Sequence, residues 1–308
     1  MELITPSVDI WEQDTSSPIE GMYAHIARCT RVCYQSESNL KPGETPEDFV
    51  NRVILRHDPW NSEANHLAML EHGTVYLKFY RSDVAYRKFD GNPYTKITMD
   101  EDYRYVTTNF RVIIENNLLW HFDKYVCAPT EHHARRITVS FTTNIGVTRE
   151  FNRHRVNSIA EESTRYCNYN KRNDGQIKIG LPAWLDNERD KSYLESHQFD
   201  SLESYCEELL NGNNDINPQC WCDIDFYLFA LTTAEWCYNN LISKGWKPQQ
   251  AREVLPLATK SQLIHTAFVD DWKHFFALRA DGVSGPTHPN ARLLAKPLKE
   301  EFIKRNYI

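Results

Sequence analysis

Hydrophobic and polar positions alternate from Thr74 to Phe79, with Val75, Leu77 and Phe79 on one side and Tyr76 and Lys78 on the other. A period of two predicts a half-buried strand. Ile137, Val139 and Phe141 repeat the pattern over residues 137–142 and predict a second strand. From Asp223 to Lys244 the period changes. Ile224, Leu228, Leu231, Tyr238 and Leu241 share one helical face there, and Gly245 supplies a C-terminal stop. Shorter helices are expected over Phe49 to Leu55, after the Pro46-Glu47-Asp48 start, and from Pro248 to Leu255, where Pro256 closes the segment. Trp272 to Arg279 also reads as helical. Strands ahead of helices, with a long helix late in the chain, favour an α+β fold, a twisted sheet packed against helices, over a regular βαβ array.

No repeat, low-complexity tract or Gly/Pro/Ser-rich linker interrupts the chain, so residues 1–308 are expected to form a single domain. Residues 81–111 are polar and aromatic, and residues 172–222 mix Asn, Asp, Lys and Glu without a clear apolar period. Both read as elaborations on the core. Hydrophobic residues at 41% and charged residues at 25% exclude compositional disorder. A formal charge of −7 argues against broad electrostatic binding to nucleic acid or anionic lipid, so any anionic ligand needs a local basic cluster.

The stretch from Met1 to Ser17 carries Glu2, Asp9, Glu12 and Asp14 and lacks a positive start and an apolar core, unlike a signal peptide. The apolar run near Phe226 to Leu231 is far shorter than the roughly 20 residues a bilayer requires. Eight scattered cysteines then read as reduced thiols of a cytoplasmic protein. Cys29 with Cys33, and Cys220 with Cys222, lack a second pair at zinc-site spacing, so no metal is expected.

Candidate chemistry concentrates between Arg149 and Tyr166, which hold Arg149, Arg153, His154, Arg155, Ser158, Ser163 and Arg165. Guanidinium groups offer planar, permanently charged donors suited to phosphate oxygens and to the carbonyl edge of a flat heterocycle. The residue types alone are equally compatible with a solvated helix face paired to Glu150, Glu161 and Glu162. A nucleic-acid-binding module using Arg153, Arg155 and Arg165 on phosphates would bind with strong salt dependence, against which the acidic net charge speaks.

The order of the residues goes further. Arg153, His154, Arg155, Ser158, Glu161, Ser163, Arg165 and Tyr166 resemble the signature of the flavin-dependent thymidylate synthases at eight of its nine specified positions. At the ninth, Ala160 stands where the family has Asn. Glu71-His72-Gly73-Thr74 resembles the family's flavin-contacting Glu-His element. Ala251-Arg252-Glu253-Val254-Leu255-Pro256 is similar to its Ala-Arg-x-x-Leu-Pro element. His274 to Arg279 resembles its late helix, with Arg279 falling 27 residues after Arg252. Two further departures stand out. Phe268-Val269-Asp270 occupies the place of a flavin-binding Asn-x-Arg pair, and Glu150 stands where Gln is common.

The resemblance implies reductive methylation of dUMP to dTMP by a homotetramer, with FAD as cofactor and with NADPH or NADH and 5,10-methylenetetrahydrofolate as cosubstrates. It implies a catalytic Arg279 facing uracil. It places Glu150, Arg153, Glu161, Glu162, Ser163, Thr164, Arg165, Arg252 and Arg279 around dUMP. FAD would meet His72, Thr74, Arg153, His154, Arg155, Glu161 and His274. Ser163 reads as a substrate-binding residue, because no His-Asp pair adjoins it in sequence to activate a nucleophile. The departures leave room for a diverged member acting on a modified pyrimidine nucleotide, or for a catalytically inactive flavoprotein.

Overall fold

The structure, a computed structural model, describes residues 1–36, 41–56, 66–171, 175–185, 189–190, 192–193, 219 and 221–308. The first elements are β1 (Glu2–Ile4), β2 (Ser7–Trp11) and α1 (Pro18–Tyr34). Pro18 occupies the first turn of α1, where its missing N–H breaks no helical bond. α2 (Pro46–Val53) starts at a capping box: Thr45 Oγ1 accepts from the Asp48 amide at 3.1 Å, and the Asp48 carboxylate accepts from the Thr45 amide at 3.2 Å. The helix therefore begins at the prolyl start itself and not at Phe49. β3 (Thr74–Tyr80), β4 (Lys96–Met99) and β5 (Tyr103–Asn109) follow, then α3 (Phe110–Glu115) and α4 (Leu119–Tyr125).

β6 (Arg136–Asn144) runs directly into α5 (Ile145–Phe151), and β7 (Ser158–Glu161) and β8 (Lys178–Gly180) come next. α6 (Asp223–Ser243) is the long amphipathic helix expected from the sequence. Gly245 beyond it adopts φ +93°, a conformation open to glycine and strained for other residues. α7 (Pro248–Ala251), β9 (Lys260–Phe268), α8 (Val269–Phe276) and α9 (Pro289–Lys304) complete the order. α8 stops at Phe276 and passes into a π turn, Ala277–Asp281, that carries Arg279. Helices together with separate parallel and antiparallel strand pairs make the α+β class. Among the described residues, no helix is long and apolar enough to cross a membrane.

The described chain forms two compact units. The first comprises Met1–Ser7, Thr142–Arg149 and Ser163–Ser261. Within it β1 and β8 pair in parallel, with Glu2 opposite Lys178 and Ile4 opposite Gly180. α6 buries Ile224 and Leu228 with Leu181 and Leu185, and buries Leu231 and Tyr238 with Cys167, Tyr169, Ile177 and Ile179. One helical face thus closes two apolar clusters. Most of residues 172–222, expected as an elaboration, lies outside the described residues.

The second unit comprises Val8–Phe141, Glu150–Glu162 and Gln262–Ile308. β3, β5 and β4 form an antiparallel sheet with β5 central, Thr74 opposite Asn109 and Lys96 opposite Thr107. Residues 81–111 supply two of its strands and bury Phe89, Tyr105, Val106 and Phe110. A four-stranded sheet follows the order β2-β6-β9-β7, in which Ser158 lies opposite Thr266 and Glu161 opposite Leu263. Both faces of β6 are buried along most of its length, so its apolar alternation was visible although threonines and serine fill the other face.

Two contacts fix the elements that carry the candidate site. Ile26 and Met22 of α1 press on Gly73, where an added Cβ would meet Ile26 Cδ1 at 2.5 Å and Met22 Cγ at 2.9 Å. Glycine is required for this approach, which sets the backbone between His72 and Thr74. Phe275 of α8 is fully buried and meets the rings of Phe151 at 4.9 Å, His154 at 4.9 Å and Trp272 at 5.2 Å. Offset and edge-on ring contacts of this kind add to simple area burial. Phe275→Ala is therefore expected to destabilise the protein by about 3–5 kcal/mol in urea unfolding, the range for emptying a buried aromatic site. A loss below about 1 kcal/mol would show that this wall can collapse freely around the vacancy.

Candidate active site

In the second unit, the π turn after α8 brings Arg279 onto the last turn of α5 and the segment that follows it. Arg279 Nη1 donates to Glu150 Oε2 at 2.9 Å, and Nη2 donates to the Glu150 carbonyl at 2.7 Å. Arg279 Nε donates to His154 Nε2 at 3.3 Å. A guanidinium has five N–H donors, so this clamp leaves two for another acceptor. The clamp also specifies a tautomer: His154 must present a bare Nε2 and keep its proton on Nδ1. Burial holds the His154 imidazole down at about 4, and the charges of Arg279 and His274 act in the same direction.

Arg153, His154, Arg155, His274 and Arg279 line one cavity of about 200 Å³, together with Asp271. Burial raises the Asp271 carboxyl above its ordinary value. The ring of His274 lies 5.9 Å from that of His154. Four residues assigned to flavin and the assigned catalytic arginine are thus gathered from two distant stretches of the chain. Glu161, on β7, accepts from Asn152 Nδ2 at 2.9 Å, and the buried Glu162 donates its amide to the Gln262 carbonyl at 2.8 Å.

His72 and Thr74 are not among the lining residues of that cavity. His72 is fully buried, and its Nδ1 bonds Thr266 Oγ1 at 2.8 Å. Thr266 continues to Thr138 at 2.8 Å, and Thr138 to His25 Nε2 at 2.9 Å, so one polar chain runs through the interior of this unit. Burial lowers His72 well below its usual value, with His25, Arg136 and His265 adding to the effect. Nε2 of His72 is buried without a hydrogen-bond partner among the described residues. Thr74 Oγ1 accepts from Arg136 Nη1 at 3.3 Å.

The remaining candidates meet in the first unit. Arg252 Nη1 donates to Thr164 Oγ1 at 3.4 Å, Arg165 Nε donates to Gln249 Oε1 at 3.1 Å, and the Arg165 amide donates to Ser163 Oγ at 3.3 Å. Arg165 and Arg252 are both exposed. The turn before Cys167 and the α7 segment therefore present two cations and two hydroxyls side by side, as a phosphate-binding surface requires.

Ala160 has a packing explanation. It lies on the same face of β7 as Ser158 and is buried with Trp11, Cys29, Val32 and Ile264. An asparagine there would need polar partners in an apolar cluster. Residues that sequence reasoning missed are Arg136, His265 and His25. His265 is held at about 3 by burial with a contribution from His154, and its Nδ1 bonds Asn157 Nδ2 at 3.3 Å. The only signal was the Arg135-Arg136 pair at the head of the predicted second strand. Among the described residues, no group of three or more His, Cys, Asp or Glu is placed to hold a metal.

The family model described as "Thymidylate synthase complementing protein" matches residues 122–305. That span covers more than half of the chain, and the protein belongs to this family. Among solved structures, the chain is similar to a UMP/dUMP methylase, PolB, from Streptomyces cacaoi, crystallised with 5-Br dUMP. Identity is 16%, coverage is 99% of this chain and 93% of that one, and the TM-score is 0.42. No match is found among curated proteins.

The neutral imidazoles carry a pH signature. His25 is held at about 4 by burial, with Arg28 and Arg136 adding to it, so His25, His72, His154 and His265 all stay neutral in the folded protein well below pH 6.5. The unfolded chain binds protons on these groups below about 6.5, so it carries more protons than the folded chain there. Stability is therefore full above pH 6.5 and falls as pH drops towards 4. Urea unfolding at closely spaced pH values should show this decline already between pH 6.5 and 5, above the main carboxylate range. A flat profile in that interval would contradict the neutral assignment.

Proposed function

We propose that the protein is a flavin-dependent thymidylate synthase that converts dUMP to dTMP, with 5,10-methylenetetrahydrofolate as carbon donor and NADPH or NADH as reductant. The observation that carries this reading is the Arg279 clamp. A cation from the end of α8 is fixed by Glu150 and His154 beside the residues of the signature, and it retains two unused donors. Fold likeness alone would not define a substrate.

The donor set fits FAD in its chemistry. Arg153 and Arg155 offer charge to a pyrophosphate and His154 and His274 offer planar surfaces, while the orphaned Nε2 of His72, outside this cavity, would be a further polar contact. The cavity of about 200 Å³ is smaller than the roughly 300–1,000 Å³ of ordinary small-molecule sites. The homotetramer that the resemblance implies would let other subunits complete the site. FAD, when bound and reduced, supplies the hydride that takes the transferred carbon to the methyl level.

The chain's own residues bind and polarise the nucleotide. Carbon 5 of uracil is a weak nucleophile, and a fixed cation at the carbonyl edge favours electron density moving into the ring. Arg279 would do this with the pair of donors that the clamp leaves over. Arg165 and Arg252, with Ser163 and Thr164, would hold the phosphate and sugar, and the resemblance adds Arg153 to the residues that meet the nucleotide. Glu161 and Glu162 are assigned to the nucleotide by the family resemblance. Glu150 favours a second reading. A carboxylate only accepts hydrogen bonds, whereas the Gln common at this place can also donate, so a pyrimidine carrying an added donor group would suit Glu150 better than uracil does. Product analysis with dUMP and with modified pyrimidine nucleotides separates the two.

Arg279→Ala should cost roughly 3 kcal/mol of transition-state stabilisation, or more than about a hundredfold in dTMP formation. Flavin reduction by the nicotinamide should survive, because that half-reaction places no charge on the pyrimidine. Arg279→Lys should restore little, since a point charge does not reproduce the planar fork. Near-normal dTMP formation in Arg279→Ala would remove Arg279 from the catalytic role, and equal loss of both reactions would indicate lost FAD or misfolding. Light scattering of the active protein should give roughly four times 36.1 kDa, and full activity in a monomer of 36.1 kDa would refute the shared-site arrangement.

A further inference from the structure

Arg136, the first residue of β6, carries a charge that nothing above employs. It is only 8% exposed. Its guanidinium donates to three neutral oxygens: Nη2 to the Glu71 carbonyl at 3.0 Å and to Ser158 Oγ at 3.3 Å, and Nη1 to Thr74 Oγ1 at 3.3 Å. The Phe268 ring faces the guanidinium at 5.5 Å, and the Glu71 and Asp271 carboxylates act on its charge, but no carboxylate lies within ion-pair distance of it among the described residues. The carboxylate of Glu71 is engaged instead by Arg111 at 2.6 Å. Burial lowers the Arg136 pKa to about 10, which leaves the group charged at neutral pH.

A buried cation without a counter-ion is unfavourable, and replacing it by an apolar residue of similar size is often neutral or stabilising. The three oxygens explain its orientation but not the need for a charge, since neutral donors could serve them. Their positions are informative. Glu71 and Thr74 flank His72, and Ser158 belongs to the basic signature on β7, so one guanidinium joins the two segments assigned to the flavin side. A lysine could reach one or two of these oxygens, while only a planar fork spans all three.

We propose that Arg136 is a positioning residue of the cofactor site: it ties Glu71–Thr74 to Ser158 and supplies the positive charge that an electron-rich group bound beside His72 and Thr74 neutralises. This rests on the flavin reading above. The bound group completes the missing ion pair, and the charge favours the more electron-rich, reduced form of that group.

The test compares full-length wild type with Arg136→Met and Arg136→Lys. Three quantities are measured: FAD affinity by flavin fluorescence, midpoint potential of the bound flavin by equilibration with redox dyes, and Tm of the flavin-free protein. For Arg136→Met the FAD Kd should rise about 10- to 100-fold, the range for losing a charged hydrogen bond. The potential should move in the negative direction, and the flavin-free Tm should stay the same or rise because an unpaired buried charge has gone. Arg136→Lys should keep a near-wild-type potential while its Kd rises about tenfold, because the charge remains and the fork does not. Folded Arg136→Met with wild-type FAD affinity and potential would overturn the proposal and leave Arg136 a purely structural residue. Should Arg136→Met fail to fold, Arg136→Gln, which keeps two amide donors, takes its place with the same expectations for affinity and potential. Wild-type protein that binds no FAD at all would overturn the flavin reading and this inference together, an outcome distinct from loss confined to the variants.

Discussion

A neutral imidazole at His154 is the condition on which the Arg279 clamp depends. Arg279 Nε donates to His154 Nε2, and a protonated ring would set two donors against each other at 3.3 Å. The aromatic wall keeps the ring neutral. Phe275 lies 4.9 Å from it, and Phe275 is itself enclosed by Phe141, Phe151 and Trp272. Desolvation disfavours the charged imidazole, and the adjacent guanidinium disfavours it further. The apolar core and the polar site are thus one arrangement: packing selects the protonation state, and that state allows the hydrogen bond that aims the arginine.

Two arginines of the second unit, Arg279 and Arg136, show how burial and pairing divide the work. Arg279 is partly exposed, pairs with the Glu150 carboxylate and keeps donors in reserve. A surface-accessible pair of this kind adds little to stability by itself, so its geometry is better understood as aiming. Arg136 is buried, donates only to neutral oxygens and faces the Phe268 ring at 5.5 Å. Replacing a buried charge of this kind by an apolar side chain of similar volume is often neutral or stabilising, so folding alone does not explain its presence. Its charge also bears on its neighbours, since it contributes to the lowered pKa values of His72 and His25.

Much of this was legible from residue order. The alternation at Val75, Leu77 and Phe79, and at Ile137, Val139 and Phe141, marked β3 and β6, and the spacing from Ile224 to Tyr238 marked α6. β9 was not legible because most of its positions are buried on both faces, which erases the period of two. α9 was obscured by Pro297, which reads as a break although the helix continues through it. In the site, the signature brought out Arg153, His154 and Arg155, and the spacing to Arg252 singled out Arg279. It could not bring out Arg136, because a basic residue at a strand's start reads as solvent-facing until Glu71, Thr74 and Ser158 are seen to converge on it. The division of the candidates, with Ser163, Thr164, Arg165 and Arg252 in one compact unit and Arg279 in the other, was equally hidden, since the chain enters each unit more than once.

Glu150 is the departure with the largest physical consequence. A glutamine at this place could hold Arg279 through its carbonyl oxygen and leave the cation's charge intact. A carboxylate holds it in the same geometry but opposes its charge at 2.9 Å. In the reaction proposed above, electrostatic stabilisation of a developing anion would depend on the net field at the pyrimidine, and a fixed negative partner would reduce that field. Two arrangements restore it. Glu150 can turn to a donor on the nucleotide, which frees Arg279 and selects for a base that offers such a donor. Alternatively, cations from neighbouring segments can offset the carboxylate, as Arg153 and Arg155 are placed to do along the same cavity wall. The second arrangement keeps uracil as the base and makes the cluster of signature arginines part of the field at Arg279, so that the basic segment and the distant π turn act as a single electrostatic device.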